Sequence, residues 1–183
     1  MKILIIGLGN PGTKYKNNRH NAGRLFVDYL YSFLPVNFSS FKENKKLLAE
    51  IAEINDLQNK IILAKPTCYM NESGKSAALL KKFYRLKNEE IIIAQDDSDI
   101  LLSQFKISIN QNSAGHHGID SIFHYLKTKN IRRIRIGIRP QEKIRQKAER
   151  LVLKNFSVKE KLILENTFKS IIESLKLKAE ETK

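Results

Sequence analysis

The sequence predicts a single α/β domain built on a twisted, mixed β-sheet flanked by helices. Three observations predict it. Apolar runs of strand length, Ile3 to Ile6 and Ile91 to Ala94, are interleaved with stretches of helical periodicity. Gln104 to Ile109 and Arg133 to Ile138 alternate residue by residue, as strands with unlike faces do. The 8 glycines and 4 prolines fall at turns and mark no boundary, so the 183 residues read as one domain, 1–183. That length suffices to bury a real core.

The elements follow in order. Ile3 to Ile6 is a buried first strand ending at Gly7. Asn21 or a neighbour caps a helix whose apolar positions are Ala22, Leu25, Phe26, Tyr29 and Phe33. Leu47 to Ile54 and Lys60 to Lys65 read as strands joined by the turn Asn55 to Asn59, and Thr67 to Asn71 as a loop. A helix from about Glu72 to Leu86 buries Leu79, Leu80, Phe83 and Leu86. Ile91 to Ala94 is a central strand that ends in the acidic cluster Gln95-Asp96-Asp97-Ser98-Asp99. Ile119, Ile122, Phe123 and Leu126 form a helical stripe. In Arg133 to Ile138, Ile134, Ile136 and Ile138 oppose Arg133 and Arg135. Ser157-Val158-Lys159-Glu160 fits a capping box that opens a final helix through Phe168, Ile171, Ile172 and Leu175; Glu180 to Lys183 reads as frayed.

Charge narrows the function class. Lys+Arg number 33 against Asp+Glu 19, a net +14, which points to a polyanion: nucleic acid first, an anionic membrane second. A lysine-rich composition in general is the plainer explanation. No apolar run approaches the roughly 18 residues needed to span a bilayer, and the opening run is too short for a secretory signal. The single cysteine, Cys68, excludes an internal disulfide framework and offers no metal-ligand spacing. A cytoplasmic protein is the expectation.

Gly7-Leu8-Gly9-Asn10-Pro11-Gly12 is formally the G-x-G-x-x-G of dinucleotide-binding turns. Two defects count against that reading. Pro11 removes a backbone donor where a helix should begin, and Lys14 to Asn18 carry no apolar helical stripe. A hydrolytic site is the other reading of the same loop. His20 is the candidate base, since imidazole titrates near neutrality, although a lone loop histidine is commonly a surface residue. It needs a carboxylate, and Asp96, Asp97 and Asp99 are all available at the next strand end. Asn71 is either a helix cap or a neutral amide placed to donate to a developing oxyanion.

These segments together resemble the bacterial peptidyl-tRNA hydrolase family. Gly7 to Gly12, Tyr15 and Arg19-His20-Asn21-Ala22-Gly23 are similar to its opening motif, and Pro66-Thr67, Tyr69-Met70-Asn71 and Ser73-Gly74 to its second. Asp96 and Asp99, Ala114-Gly115-His116 with Gly118, Arg135 to Pro140, and Val152-Leu153 with Phe156 follow in the family's order, over nearly the whole chain. The resemblance implies hydrolysis of the ester between peptide and tRNA, without metal or cofactor, releasing tRNA for reuse in translation. His20 is then the base that activates water and Asp96 its orienting carboxylate. Asn10 and Asn71 position the substrate, with Asn71 also at the oxyanion. Tyr15 and Met70 line the cleft.

The chain departs from the family pattern in places. His117 stands where the family has an Asn that holds substrate and water, and an imidazole cannot donate and accept as an amide does. Asn110-Gln111-Asn112-Ser113 replaces a glycine-rich stretch, which implies a stiffer loop. Asn18 stands where Thr is usual, and a customary glycine is missing after Ile138. Phosphate contacts would come from Lys106 and Arg133 first, then Lys127, Lys129, Arg132 and Arg135. A monomer acting on peptidyl-tRNA away from membranes is the expected working form. A non-catalytic RNA-binding protein and a nicotinamide-dependent oxidoreductase are the competing classes.

Overall fold

A computed structural model describes residues 2–34, 38–55, 60–141 and 148–175. Strand β1 (Lys2–Gly7) runs through the middle of the sheet, parallel to β4 (Lys60–Pro66) on one side and to β5 (Ile91–Leu101) on the other. β5 pairs in parallel with β7 (Arg132–Arg139), which carries the antiparallel edge strand β6 (Phe105–Ser108). Beyond β4 lie β3 (Ala49–Asn55) and the short edge strand β2 (Lys42–Asn44), both antiparallel. The order is β2-β3-β4-β1-β5-β7-β6, a mixed sheet of seven strands.

Alternation along the strands divides the core into two layers. Ile5, Leu63, Ile92, Ala94, Ile134, Ile136 and Ile138 face α1 (Ala22–Phe33) and α5 (Val158–Ser174). Leu4, Ile6, Ile62, Ile91 and Ile93 face α2 (Ser73–Tyr84) and α3 (His117–Leu126). The remaining helix, α4 (Ala148–Val152), inserts Leu151 into the first layer. The capping box of α5 forms as expected: Ser157 Oγ accepts from Glu160 N at 3.3 Å, and Ser157 N donates to Glu160 Oε2 at 2.8 Å.

Two helix faces are rotated from the expected stripe. On α2, Leu79 and Phe83 are exposed, and the buried set is Ser73, Gly74, Ser76, Ala77, Leu80 and Tyr84. Small residues win that face because α2 lies close against α3: Gly74 N donates to Ser121 Oγ at 3.0 Å. On α1, the buried line is Ala22, Gly23, Phe26, Val27 and Leu30, while Phe33 stacks on Tyr29 at the surface. β5 also outruns its apolar stretch and continues through the acidic residues, with its register against β7 shifting between Asp97 and Leu101. Most of the turn expected at Asn55 to Asn59 and the fraying expected at Glu180 to Lys183 lie outside the described residues.

The nicotinamide reading fails on this backbone. The turn after β1 leads into two single 3-10 turns, Thr13–Tyr15 and Arg19–Asn21, and α1 begins only at Ala22. No α-helix N-terminus follows Gly12 to receive a pyrophosphate.

Candidate active site

The loop after β1 is folded by its asparagines. Asn21 uses its whole carboxamide on the backbone of Asn10: Oδ1 accepts from Asn10 N at 2.8 Å, and Nδ2 donates to Asn10 O at 2.9 Å. Asn21 is therefore spent on the turn rather than on capping α1. Asn10 Oδ1 in turn accepts from Met70 N at 2.8 Å. This chain of bonds ties the turn that holds His20 to the 3-10 turn Met70–Glu72 that holds Asn71. It also fixes the Asn10 amide with Nδ2 as its free donor. Asn18 closes the loop from the other side, accepting from His20 N and donating to Leu153 O at 2.7 Å.

Gly23 brings this loop to the sheet. A Cβ there would sit 2.1 Å from Ala94 O, so only glycine lets α1 lie so close to β5, two residues before Asp96. His20 Nδ1 consequently lies 2.8 Å from Asp96 Oδ1. Asp96 is 2 % exposed. Of the three acids left open by the sequence, Asp96 alone meets the imidazole. Asp97 is held by Arg135 Nε at 2.7 Å, and Asp99 is exposed.

The same Asp96 oxygen takes a second imidazole, His116 Nε2 at 3.0 Å. The histidine rings lie 5.0 Å apart between centroids. His116 is the N-cap of α3: its Nδ1 accepts from Gly118 N at 3.1 Å and more weakly from Ile119 N at 3.4 Å. A nitrogen facing two N–H groups must be the unprotonated one, so Nε2 carries the proton and donates to Asp96. The sequence motif contained His116 without a role. The usable signal was its place just before the apolar stripe that starts at Ile119, which is an N-cap position.

His20, Asp96 and His116 have donor atoms close enough to suggest a metal site. The hydrogen bonds argue otherwise. Ligation through His116 Nε2 would require an imidazolate, because Nδ1 is already an acceptor for the helix amides. The donor set fits a hydrogen-bonded carboxylate.

Burial disfavours the Asp96 charge, but the charges and hydrogen bonds of His20 and His116 outweigh it and hold the carboxyl well below the usual range. Burial pulls His20 down, yet the Asp96 charge and hydrogen bond carry it above its ordinary value. Asp96 accepts from Nδ1, so the neutral His20 ring keeps its lone pair on Nε2. A cleft of about 110 Å³ opens here, lined by His20, Asp96, His116, His117, Asp99 and Glu149 among others. Burial pushes the Cys68 thiol up, in keeping with a structural cysteine.

Other expected residues divide. His117 opens α3, exposed and on the cleft. Asn71 is exposed on its turn. Lys106 is exposed on β6, opposite Arg135. Tyr15 is half-buried with Lys14 Nζ 5.7 Å from its ring centre, and its carbonyl accepts from Asn18 N at 2.9 Å. Two expectations are corrected. Met70 is 5 % exposed and packs beneath α3, where its Sδ would lie 2.5 Å from a Cβ on Gly118, so it supports the wall rather than lining it. Arg133 is 1 % exposed and donates to Gln95 and to backbone carbonyls, which leaves it no face for a phosphate.

Comparison with known proteins gives the family. The family model described as "Peptidyl-tRNA hydrolase" matches residues 4–183. The peptidyl-tRNA hydrolase of Mycobacterium ulcerans is 39% identical over 160 residues, 87% of this chain and 81% of that one. The corresponding protein of Mycolicibacterium smegmatis is 38% identical over the same lengths. The crystal structure of peptidyl-tRNA hydrolase from Acinetobacter baumannii superposes with a TM-score of 0.84 at 30% identity, covering 96% of this chain and 87% of that one. A chain that matches over this length, on this fold, belongs to the peptidyl-tRNA hydrolase family.

Proposed function

We propose that this enzyme hydrolyses the ester of peptidyl-tRNA with His20 as general base and Asp96 as its orienting carboxylate. The observation that carries the reading is the His20 Nδ1–Asp96 Oδ1 bond of 2.8 Å, which leaves Nε2 free to take a proton. Water attacks the ester carbonyl as His20 Nε2 removes its proton. The new C–O bond gives a tetrahedral oxyanion next to the imidazolium. Collapse breaks the bond to the ribose oxygen, which receives the proton back from His20, and a peptide acid and a tRNA hydroxyl leave. Asp96 keeps the tautomer and stabilises the imidazolium throughout.

Asn10 Nδ2 and the Asn71 carboxamide are the neutral donors in this scheme, Asn71 acting on the oxyanion. The fixed orientation of Asn10 supports its part, because its oxygen is occupied by Met70 N. Tyr15 contacts the substrate at the outer edge and His117 from the cleft lip. The acceptor arm lies along the β6 side, where exposed Lys106 meets a phosphate. The proposed working form is a monomer. No helix among the described residues is long and apolar enough to cross a membrane.

The test is release of the N-acetyl-amino acid from N-acetyl-aminoacyl-tRNA. His20→Ala and Asp96→Asn should each lower turnover by at least about a hundredfold while the tRNA still binds. Full turnover by folded His20→Ala would overturn the assignment.

A further inference from the structure

Arg133 is the largest fully buried side chain among the described residues. Its guanidinium finds only neutral partners there. Nη1 donates to Gln95 Oε1 at 3.1 Å, and Nη2 donates to Gln111 O and Asn112 O, both at 3.0 Å. The guanidinium carbon lies 5.5 Å from the Phe123 ring centre, and Nε is buried without a partner. A buried cation held by neutral acceptors, with one donor unmet, is costly compared with an apolar side chain of the same volume.

The partners say what this cost supports. Gln111 and Asn112 open the loop that ends at His116, and His116 N closes back on Ser113 O at 3.2 Å. On the other side, Gln95 precedes Asp96 and its Nε2 donates to Asp96 O at 3.2 Å. One planar group therefore joins the strand that bears the carboxylate to the loop that bears its second imidazole. The loop has no glycine between Asn110 and Ala114, and Asn110 and Ala114 both adopt positive φ, 57° and 53°. Asparagine tolerates the left-handed region, but Ala114 is strained there and stays only when something holds it.

We propose that Arg133 is a positioning residue of the hydrolytic centre, fixing the 110–116 loop to β5 so that His116 remains on Asp96. The proposal rests on the reading of His20 and Asp96 given above. Arg133 touches neither substrate nor reacting atoms; it acts through His116.

The experiment is a double-mutant cycle between Arg133→Met and His116→Phe, assayed on N-acetyl-aminoacyl-tRNA, with His20→Ala run beside it. Arg133→Met should lower kcat by about ten- to a hundredfold, as a misplaced catalytic group does, with KM within about twofold of wild type. In the His116→Phe background the same change should have almost no further effect. Multiplicative losses in folded variants overturn the proposal. So does a loss confined to KM with the salt slope reduced by about one, which makes Arg133 a phosphate ligand after all. Gln95→Met removes one acceptor only and serves if Arg133→Met does not fold; its smaller loss must likewise vanish with His116→Phe, and persistence overturns the idea. Nitrogen-15 spectra of the His116 ring read positioning without any assay of turnover. A slowly exchanging Nε2–H is expected in wild type and not in Arg133→Met, and its survival in the variant refutes the proposal. Activity retained by His20→Ala would instead defeat the catalytic reading alone.

Discussion

Asp96→Asn should move the acid limb of the pH–rate profile downward while lowering the plateau. As the proposed base, His20 must be neutral in the wild type, so turnover should rise with pH through its raised pKa, above 6.5. Two effects set that pKa. Burial favours the neutral ring. Against it, opposite unit charges 2.8 Å apart attract by about 6 kcal/mol at an effective dielectric of 20, and this wins. Asparagine removes the charge and leaves the burial. The His20 pKa must then fall below 6.5, and the inflection with it. The plateau should drop by about 10²–10⁴, because the imidazolium loses its counter-charge and the asparagine NH2 can donate to Nδ1, which puts the ring proton on Nε2. Single-turnover hydrolysis of N-acetyl-aminoacyl-tRNA between pH 5 and 9 measures both quantities. An inflection that stays above 6.5 in the variant would refute the coupling between His20 and Asp96 as the source of the shift.

Gly23→Ala should destabilise the fold by roughly 2–4 kcal/mol in urea titration, because its Cβ meets Ala94 O at 2.1 Å and neither backbone can yield cheaply. Binding of tRNA should weaken steeply with salt, and Lys106→Ala should reduce the slope of log Kd against log salt by about one without changing single-turnover kcat. Glu160 accepts from Arg19 Nη2 at 2.6 Å and also serves the α5 capping box, and after burial is counted these contacts hold its pKa below the ordinary value. A depressed carboxyl contributes stability above its unfolded pKa and loses it as pH falls through the folded one. Glu160→Gln should therefore cost about 1–2 kcal/mol at pH 7, measured by denaturation, and the gap from wild type should close as pH falls below about 4.

Legibility followed burial chemistry. β1, β5 and β7 were readable because central strands must present apolar side chains to both helical layers, and Ile, Leu and Ala do so without ambiguity. The three-residue β2 carries too little pattern to be seen. On α2 the expected burial holds for Leu80 and for Leu86 just beyond it, and fails for Leu79 and Phe83, because apolarity alone does not register helix–helix contact. The close approach of α3 selects small residues at Ser73, Gly74, Ser76 and Ala77 and pushes Leu79 and Phe83 outward. The same limit explains Arg133 and Met70. A basic residue in an alternating strand reads as solvated, and only the coordinates reveal acceptors beneath it; a methionine in a loop motif reads as accessible until a helix is laid over it.

The sharing of Asp96 has a structural consequence for how the site is built. His20 arrives on a loop tied down by Asn10, Asn18 and Asn21, and His116 arrives on the first turn of α3; these segments lie 96 positions apart in sequence. Neither ring determines its own tautomer. Asp96 does so for His20, and the α3 amides do so for His116. The hydrogen bonds thus converge on Asp96: helix amides donate to His116 Nδ1, His116 Nε2 donates to Asp96, and His20 Nδ1 donates to the same carboxylate, which leaves the basic Nε2 of His20 free. A proton moved from Nδ1 to Nε2 of His20 would set a lone pair against the carboxylate and leave no acceptor nitrogen for water. Both His116 nitrogens are engaged, so its influence on His20 passes through Asp96, and replacing it should alter the pH profile of turnover as well as its height.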